Sequence, residues 1–337
     1  MASVMVLGAN GHLGRAAVLA FAAAGWQVTA LLRRAPRLPL PAGVRCVQGD
    51  ALDVPATLAA ARAGPAGPGF DVIVHALNPD YTQWQTMMPP QTAAVIALAR
   101  QLGATVMLPG NVYNFGNQLP ARLTEATPFA ATHAKARQRI ALEASLAQAA
   151  RDQGVRSIVI RAGDFLGDGG TWVDLGMGRA LAAGKFTAMG QPNVQHAWAY
   201  LPDLAQTFVK VAEQRAQLAP HAVLHFAGHT LTQAALQEAM QTTLGRPLRS
   251  VGFPWWLMRL AAAVPVQATA MPRALLEMRY LWQRPHQLDD QGLRHLLGNV
   301  PHTPLTDVMR ACLAPLQNPP GTETRPGAGP TPSPTGS

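Results

Sequence analysis

The stretch Val4-Met5-Val6-Leu7-Gly8-Ala9-Asn10-Gly11-His12-Leu13-Gly14-Arg15 decides how the rest of the chain is read. Four apolar residues predict a short strand. Glycine then stands at every third position, and an alanine-rich amphipathic helix is expected over 15–24, stopped by Gly25. Strand, glycine turn and helix, in that order, are the context that makes such a motif a dinucleotide site. Gly8 permits the tight turn, Gly11 lets the backbone approach a pyrophosphate, and Gly14 lets helix and strand pack closely. The helix start adds free N–H groups and a positive dipole end. Asn10, His12 and Leu13 complete the turn and are expected to line the same ligand. The plainer alternative is an ordinary strand-to-helix turn.

Working outward, apolar runs at 28–32, 44–47, 71–75, 105–108 and 157–161 predict further strands. Helices are expected at 54–62, 92–102 and 133–153. Runs without polar alternation suit strands buried on both faces, and their alternation with helices predicts βαβ units. The fold class expected is α/β, a Rossmann-type doubly wound parallel sheet over residues 1–165. Beyond Gly163 the pattern loosens. A smaller, mostly helical substrate region is expected over 166–316, with helices near 203–215, 233–244, 255–263 and 273–282. It returns briefly to the first domain near 196–215. Residues 317–337 are Pro, Gly, Thr and Ser with little to bury, so a disordered tail is expected.

The cofactor follows from what closes the second and third strands. No acidic residue occurs between Arg15 and Gly49, where an NAD site usually places one for the ribose 2′-hydroxyl. Arg33 and Arg34 stand there instead. A guanidinium at that place can pair with a 2′-phosphate, which favours NADP, with NAD possible. The alternative is two solvated loop arginines. Asp50, with Ala51, closes the third strand, where a carboxylate can accept from an adenine amino group or simply cap a turn. Ala76, Leu77 and Asn78 follow the fourth strand and are expected along the cofactor's path.

Bulk properties narrow the class. The chain has 337 residues, 48% of them hydrophobic and only 13% charged, enough for a substantial core. Its net charge of +9 comes almost wholly from arginines scattered singly or in pairs. With no basic run and no nucleic-acid-binding motif, nucleic acid is not an expected partner. Two cysteines far apart make neither a disulfide framework nor a metal site. The start enters a strand at once and no stretch reaches membrane-spanning length, so a cytoplasmic protein is expected. A small-molecule substrate is the expected partner, with a homodimer as a possible assembly.

Three groups of residues carry a family resemblance: 8–14; Gly49-Asp50; and Val72-Ile73-Val74-His75-Ala76-Leu77. They resemble the extended or atypical short-chain dehydrogenase/reductases, which include the NAD-dependent nucleotide-sugar epimerases and dehydratases. Val112-Tyr113, the run Ile160-Arg161-Ala162-Gly163-Asp164-Phe165-Leu166-Gly167 and the run Ala199-Tyr200-Leu201-Pro202-Asp203-Leu204-Ala205 match later landmarks in order. The resemblance covers residues 3–250 and implies a cofactor whose nicotinamide lies near Asn111, Tyr113 and Gly163. It also implies a catalytic Tyr with a Lys four residues later on one helix face.

Here the chain departs from the family. Its tyrosines are Tyr81, Tyr113, Tyr200 and Tyr280, followed four residues later by Gln85, Asn117, Leu204 and Arg284. Aligned through Glu143, Lys135 takes the tyrosine's place and Arg139 the lysine's. Asn111 stands where a serine or threonine would polarise a carbonyl. Lys135 could donate a proton if its pKa were depressed, and Arg139 could anchor a ribose or a carboxylate. Alternatively the two form a solvated helix face. Tyr113, His133 and Asp164 are the other candidates, with His133 the more natural helix-start residue. An NAD(P)-dependent oxidoreductase or epimerase-like enzyme is expected, acting on a small organic or sugar-nucleotide-like substrate. A non-catalytic NADP(H)-binding redox sensor or assembly factor is the alternative.

The stretch Phe253-Pro254-Trp255-Trp256-Leu257-Met258-Arg259-Leu260 is unusually apolar. With Met271, Met278, Tyr280 and Trp282 it could roof a pocket, pack as core, or rest on a membrane surface. Its single arginine makes the membrane the least expected of the three.

Overall fold

The structure, a computed structural model, describes residues 1–317 apart from 65, 66, 68, 168 and 264–269. The tail expected after Gln317 lies outside the described residues. The strands are β1 (Ser3–Leu7), β2 (Gln27–Leu32), β3 (Arg45–Gln48), β4 (Val72–His75), β5 (Thr105–Gly110), β6 (Arg122–Leu123) and β7 (Ser157–Arg161). They continue as β8 (Asp164–Leu166), β9 (Lys185–Ala188), β10 (Gln195–Tyr200), β11 (His221–His225), β12 (His229–Thr232), β13 (Arg249–Gly252) and β14 (Gln287–Leu288). The first five helices are α1 (His12–Ala23), α2 (Val54–Arg62), α3 (Trp84–Leu102), α4 (Ala134–Asp152) and α5 (Leu201–Glu213). The rest are α6 (Gln233–Leu244), α7 (Trp255–Ala263), α8 (Ala270–Met278), α9 (Gln291–Leu297) and α10 (Leu305–Gln317).

Seven strands form one all-parallel sheet in the order β3-β2-β1-β4-β5-β7-β11. Strand β1 is buried along its whole length because alternate residues serve different cores. Met5 and Leu7 pack with Ile73 beneath α2, α3 and α4, whereas Val4 and Val6 pack with Val72 and Val74 beneath α1 and α5. This is the two-sided burial that the unbroken apolar runs predict. The chain runs from β1 out to β3 and then crosses back to β4. That reversal opens a crevice at the carboxyl ends of β1 and β4.

Helix α3 starts eight residues earlier than the sequence suggests, with Pro89 and Pro90 inside it. Trp84 anchors its first turn, buried and donating Nε1–H to the Pro79 carbonyl at 2.9 Å. The prolines, with Gln85 and Thr86 one turn before them, are exposed, so water can reach the carbonyls they leave unpaired.

Beyond Gly163, helices α6 to α10 are present, but short strands accompany them. Strand β10 pairs β8 in parallel and β12 antiparallel, and β9 pairs β13. These elements surround a third core of Leu166, Phe186, Trp198, Leu236, Met240, Trp282 and Met309. Helix α5 packs against α1, and the chain then adds β11 to the edge of the main sheet. Among the described residues, no helix is long and apolar enough to cross a membrane.

A buried ion pair joins α4 to the sheet. Arg161 Nη2 donates to Glu143 Oε2 at 2.6 Å and Nε donates to Oε1 at 3.3 Å, with the guanidinium over Phe129. Removing one partner strands the other charge. Glu143→Ala is therefore expected to cost about 3–5 kcal/mol in urea unfolding, with Glu143→Gln costing clearly less. A loss below about 1 kcal/mol for Glu143→Ala would show the pair to be dispensable.

Candidate functional site

The glycine turn closes against the strand beside it. Gly8 has φ +83°, and a Cβ there would stand 2.6 Å from the Ala76 carbonyl oxygen. A Cβ on Gly14 would lie 2.2 Å from the Gly8 oxygen, so both positions exclude any side chain. Gly11 donates its N–H to the Gly8 carbonyl at 2.9 Å and occupies the N-cap of α1. No side chain caps that helix and no acidic residue sits in its first turn. Its opening N–H groups are thus available to a phosphate, and the cradle fits a dinucleotide.

Asn10 ties this turn to the loop after β2. Its Nδ2 donates to the carbonyls of Arg34 and Ala35 at 3.3 and 3.2 Å, and its Oδ1 accepts from Arg37 N–H at 3.1 Å. Arg33 and Arg34 are exposed, and no hydrogen bond or ion pair among the described residues holds either side chain. His12 is exposed, and its ring fills the place that a Cβ on Gly170 would need, so the later region meets the turn here. Asp50 closes a local turn, accepting from Leu52 N–H at 3.0 Å, while Asp53 caps α2. Ala51 is buried beneath it, Leu77 is half-buried and Asn78 exposed at the end of β4.

At the carboxyl ends of β4 and β5 three phenols gather. Tyr81 and Tyr113 share a hydrogen bond of 3.0 Å between hydroxyls. Tyr280, from the turn Arg279–Trp282, places its hydroxyl 3.1 Å from His133 Nε2. Burial raises all three, and the Asp164 carboxylate raises each further; Tyr113 stands well above the ordinary phenol range. Asn111 Oδ1 accepts the Tyr113 N–H at 3.0 Å and fixes the turn that carries that phenol.

Lys135 and Arg139 do not form a solvated helix face. Lys135 is buried, donating Nζ–H to Glu277 Oε2 at 2.9 Å, with the ammonium 5.4 Å from the Tyr81 ring centre. Glu277 also accepts from the Lys135 backbone N–H at 3.1 Å and lies 3.2 Å from His133 Nδ1. Burial pushes the Glu277 carboxyl up, but its bonds from His133 and Lys135 win and hold it at about 2. Arg139 stacks over Trp84 at 5.0 Å and donates to the Pro109 carbonyl at 3.4 Å, while its buried Nε has no partner. Burial lowers its pKa.

Residues 8–168 match the family model described as NAD(P)H-binding. This part of the chain is an NAD(P)H-binding domain. The chain as a whole has the fold of solved UDP-glucose 4-epimerases. It is similar to UDP-glucose-4-epimerase from Stenotrophomonas maltophila, solved with bound NAD and formylated UDP-arabinopyranose. That likeness has a TM-score of 0.71 and 16% identity, over 93% of this chain and 97% of that one. It is similar too to UDP-glucose 4-epimerase from Bifidobacterium longum in complex with NAD+ and UDP, with a TM-score of 0.71, 13% identity and coverage of 94% and 99%. The corresponding enzyme from Brucella ovis, in complex with NAD, gives 0.71, 15%, 93% and 97%. No curated protein matches the chain in sequence.

Within this fold, Tyr113, Lys135 and Arg139 stand around one spot, with Lys135 beside the Tyr81 ring and Arg139 over Trp84, which neighbours Tyr113. Tyr81 and Glu277 escape the sequence reading, and Tyr280 enters it only as part of a possible pocket roof. Tyr81 lies in a loop without periodicity, and the other two come from the apolar C-terminal stretch, whose pattern speaks only of packing.

The Glu277 bonds predict a pH-dependent contribution to stability. A carboxyl held at about 2, against an ordinary 4.5, stabilises the fold fully above pH 4.5, and this is lost as pH falls through 2. Glu277→Gln should lower stability at pH 7 by up to about 3 kcal/mol, with the deficit shrinking between pH 4.5 and pH 2. Urea titrations at pH 7 and pH 3 check this. A deficit equal at both would remove the ionised carboxylate from the account.

Proposed function

We propose that this protein is an NADP(H)-dependent reductase of small carbonyl compounds in which Tyr113, bonded to Tyr81, donates the proton. The observation that carries the reading is the 3.0 Å phenol pair at the carboxyl ends of β4 and β5. It stands beside a helix that brings Lys135 and Arg139 in place of a Tyr-x-x-x-Lys pair. When bound, the nicotinamide supplies hydride to the carbonyl carbon. Tyr113 holds a proton at its hydroxyl and passes it to the carbonyl oxygen. The Tyr81 hydroxyl and the Arg139 and Lys135 cations then stabilise the phenolate left behind. The half-buried Tyr81 relays a replacement proton from solvent.

The raised phenols favour reduction over epimerisation. Epimerisation first takes a proton from a substrate hydroxyl, which calls for a phenolate. Burial and the Asp164 charge hold Tyr113 in the protonated form instead. The Glu277 carboxylate occupies the Lys135 ammonium, so that group anchors the site rather than exchanging protons.

NADP is favoured over the NAD named with the similar structures. Arg33 and Arg34 are exposed at the end of β2, and no acidic residue stands there to meet a ribose hydroxyl. Cytoplasmic residence belongs to the same reading, since a sequence with only two cysteines, far apart, holds no disulfide framework of the kind secreted domains use. So does a homodimer. An apolar hollow of about 280 Å³ between α3 and α4, lined by Met88, Pro89, Ala141 and Leu142, offers a seam for a second copy.

Replacing both Arg33 and Arg34 by Ala should weaken NADPH roughly 10- to 100-fold in a fluorescence titration and leave NADH nearly unchanged. Equal losses for the two cofactors would defeat the NADP assignment. Tyr113→Phe should lower kcat for NADPH-dependent carbonyl reduction by roughly 100-fold or more at unchanged NADPH affinity. Tight NADPH binding by the native protein without turnover of any aldehyde or ketone would favour the non-catalytic sensor.

A further inference from the structure

Asp164 opens β8 directly after Gly163, and only one of its carboxylate oxygens is engaged. Oδ2 lies 2.9 Å from His196 Nε2, while Oδ1 has no hydrogen-bond partner among the described residues. His196 is 2% exposed and turns its other nitrogen, Nδ1, to the Leu281 carbonyl at 3.2 Å. A carbonyl oxygen only accepts, so Nδ1 carries a hydrogen. The Nε2–Oδ2 contact requires a second one, because two lone pairs would otherwise face each other. His196 therefore meets Asp164 as a donor, and Oδ2 is taken.

The imidazole cannot swing away from this arrangement. It stacks on Trp282 at 4.3 Å and 6°, with Trp198 tilted against it at 4.7 Å and His286 edge-on at 4.6 Å. Burial, then the neighbouring His196, lowers His286 to about 3, so His286 adds no charge near neutral pH. The backbone beneath is equally fixed: a Cβ on Gly163 would lie 2.1 Å from the Ala197 carbonyl oxygen. One turn, Arg279–Trp282, joins this pair to the phenol cluster. Its Tyr280 reaches His133, while Leu281 and Trp282 hold His196. The Asp164 carboxylate, 16% exposed, follows β7, whose exit shares one sheet edge with those of β4 and β5, and it raises all three phenols.

We propose that Asp164, positioned by His196, anchors a hydroxyl of the substrate, with Oδ1 accepting from an O–H adjacent to the carbonyl that Tyr113 serves. The substrate class is then the α-hydroxy carbonyl, a hydroxyketone or hydroxyaldehyde of sugar type. With Oδ2 held by His196, the free Oδ1 is left to accept from an O–H donor. A plain ketone of the same shape leaves that oxygen desolvated and unpaired, which costs affinity. The inference rests on the carbonyl reduction proposed above.

The test compares isosteric pairs in NADPH oxidation: hydroxyacetone against butanone, and glycolaldehyde against propanal. The native protein should show kcat/KM at least roughly 10-fold higher for the hydroxylated member of each pair. Asp164→Asn should bring that ratio close to one, chiefly through KM for the hydroxylated member. His196→Gln should lower it in the same sense while leaving Asp164 in place. NADPH titration of each variant reports that it is folded. A native ratio near one, a ratio kept by a folded Asp164→Asn, or faster turnover of aminoacetone than of hydroxyacetone would overturn the anchor and leave carbonyl reduction standing. No turnover of any member by the native protein would overturn both.

Discussion

The close approach of the glycine turn to β4 is the constraint on which the rest depends. Gly8 and Gly14 stand where no side chain can exist, one against the Ala76 carbonyl and the other against Gly8 itself. Only with both positions bare can α1 begin directly over the crevice between β1 and β4, with its first N–H groups uncapped. The sheet order then places the exits of β4, β5 and β7 along the same edge. Tyr81, Tyr113 and Asp164 leave the sheet there. Cofactor cradle and phenol cluster are consequences of one topology.

What distinguishes the chain within its fold is the source of its polar groups. Helix α4 presents a lysine and an arginine, Lys135 and Arg139, where the resemblance read from the sequence implies a tyrosine and a lysine. The later region supplies a counter-ion for that lysine, Glu277, and a third phenol, Tyr280. A buried ammonium without a partner would be costly, so the two halves are electrostatically interdependent. Across the same edge Arg139 rests on Trp84, which α3 holds in place through its bond to Pro79. The phenol cluster is thus enclosed by groups from separate stretches of the chain.

The parallel sheet was legible because its strands are continuous apolar runs, and the cradle because three glycines sit between a strand and a helix. Both signals are local in sequence. The short strands after Gly163 carry none of comparable strength. Strand β10, Gln195–Tyr200, mixes polar and aromatic residues over six positions, too few for a period to register. Lys135 reads in sequence as either a proton donor or part of a solvated helix face, and the carboxylate that meets it in its buried place lies 142 residues away. His196 and Asp164, 32 residues apart, meet because β10 pairs with β8. Pairings at such separations leave no trace in spacing.

The Asn10 side chain has an implication for how this protein can change. Its amide holds the carbonyls of Arg34 and Ala35 and its oxygen holds Arg37, so the glycine turn and the loop after β2 are one mechanical unit. Because these bonds run to main-chain atoms, the arginine side chains can be exchanged freely without loosening the turn. On the proposed nucleotide preference, redesign by selection or in the laboratory has a separable handle in the identities at 33 and 34, whereas drift at position 10 would loosen turn and loop together.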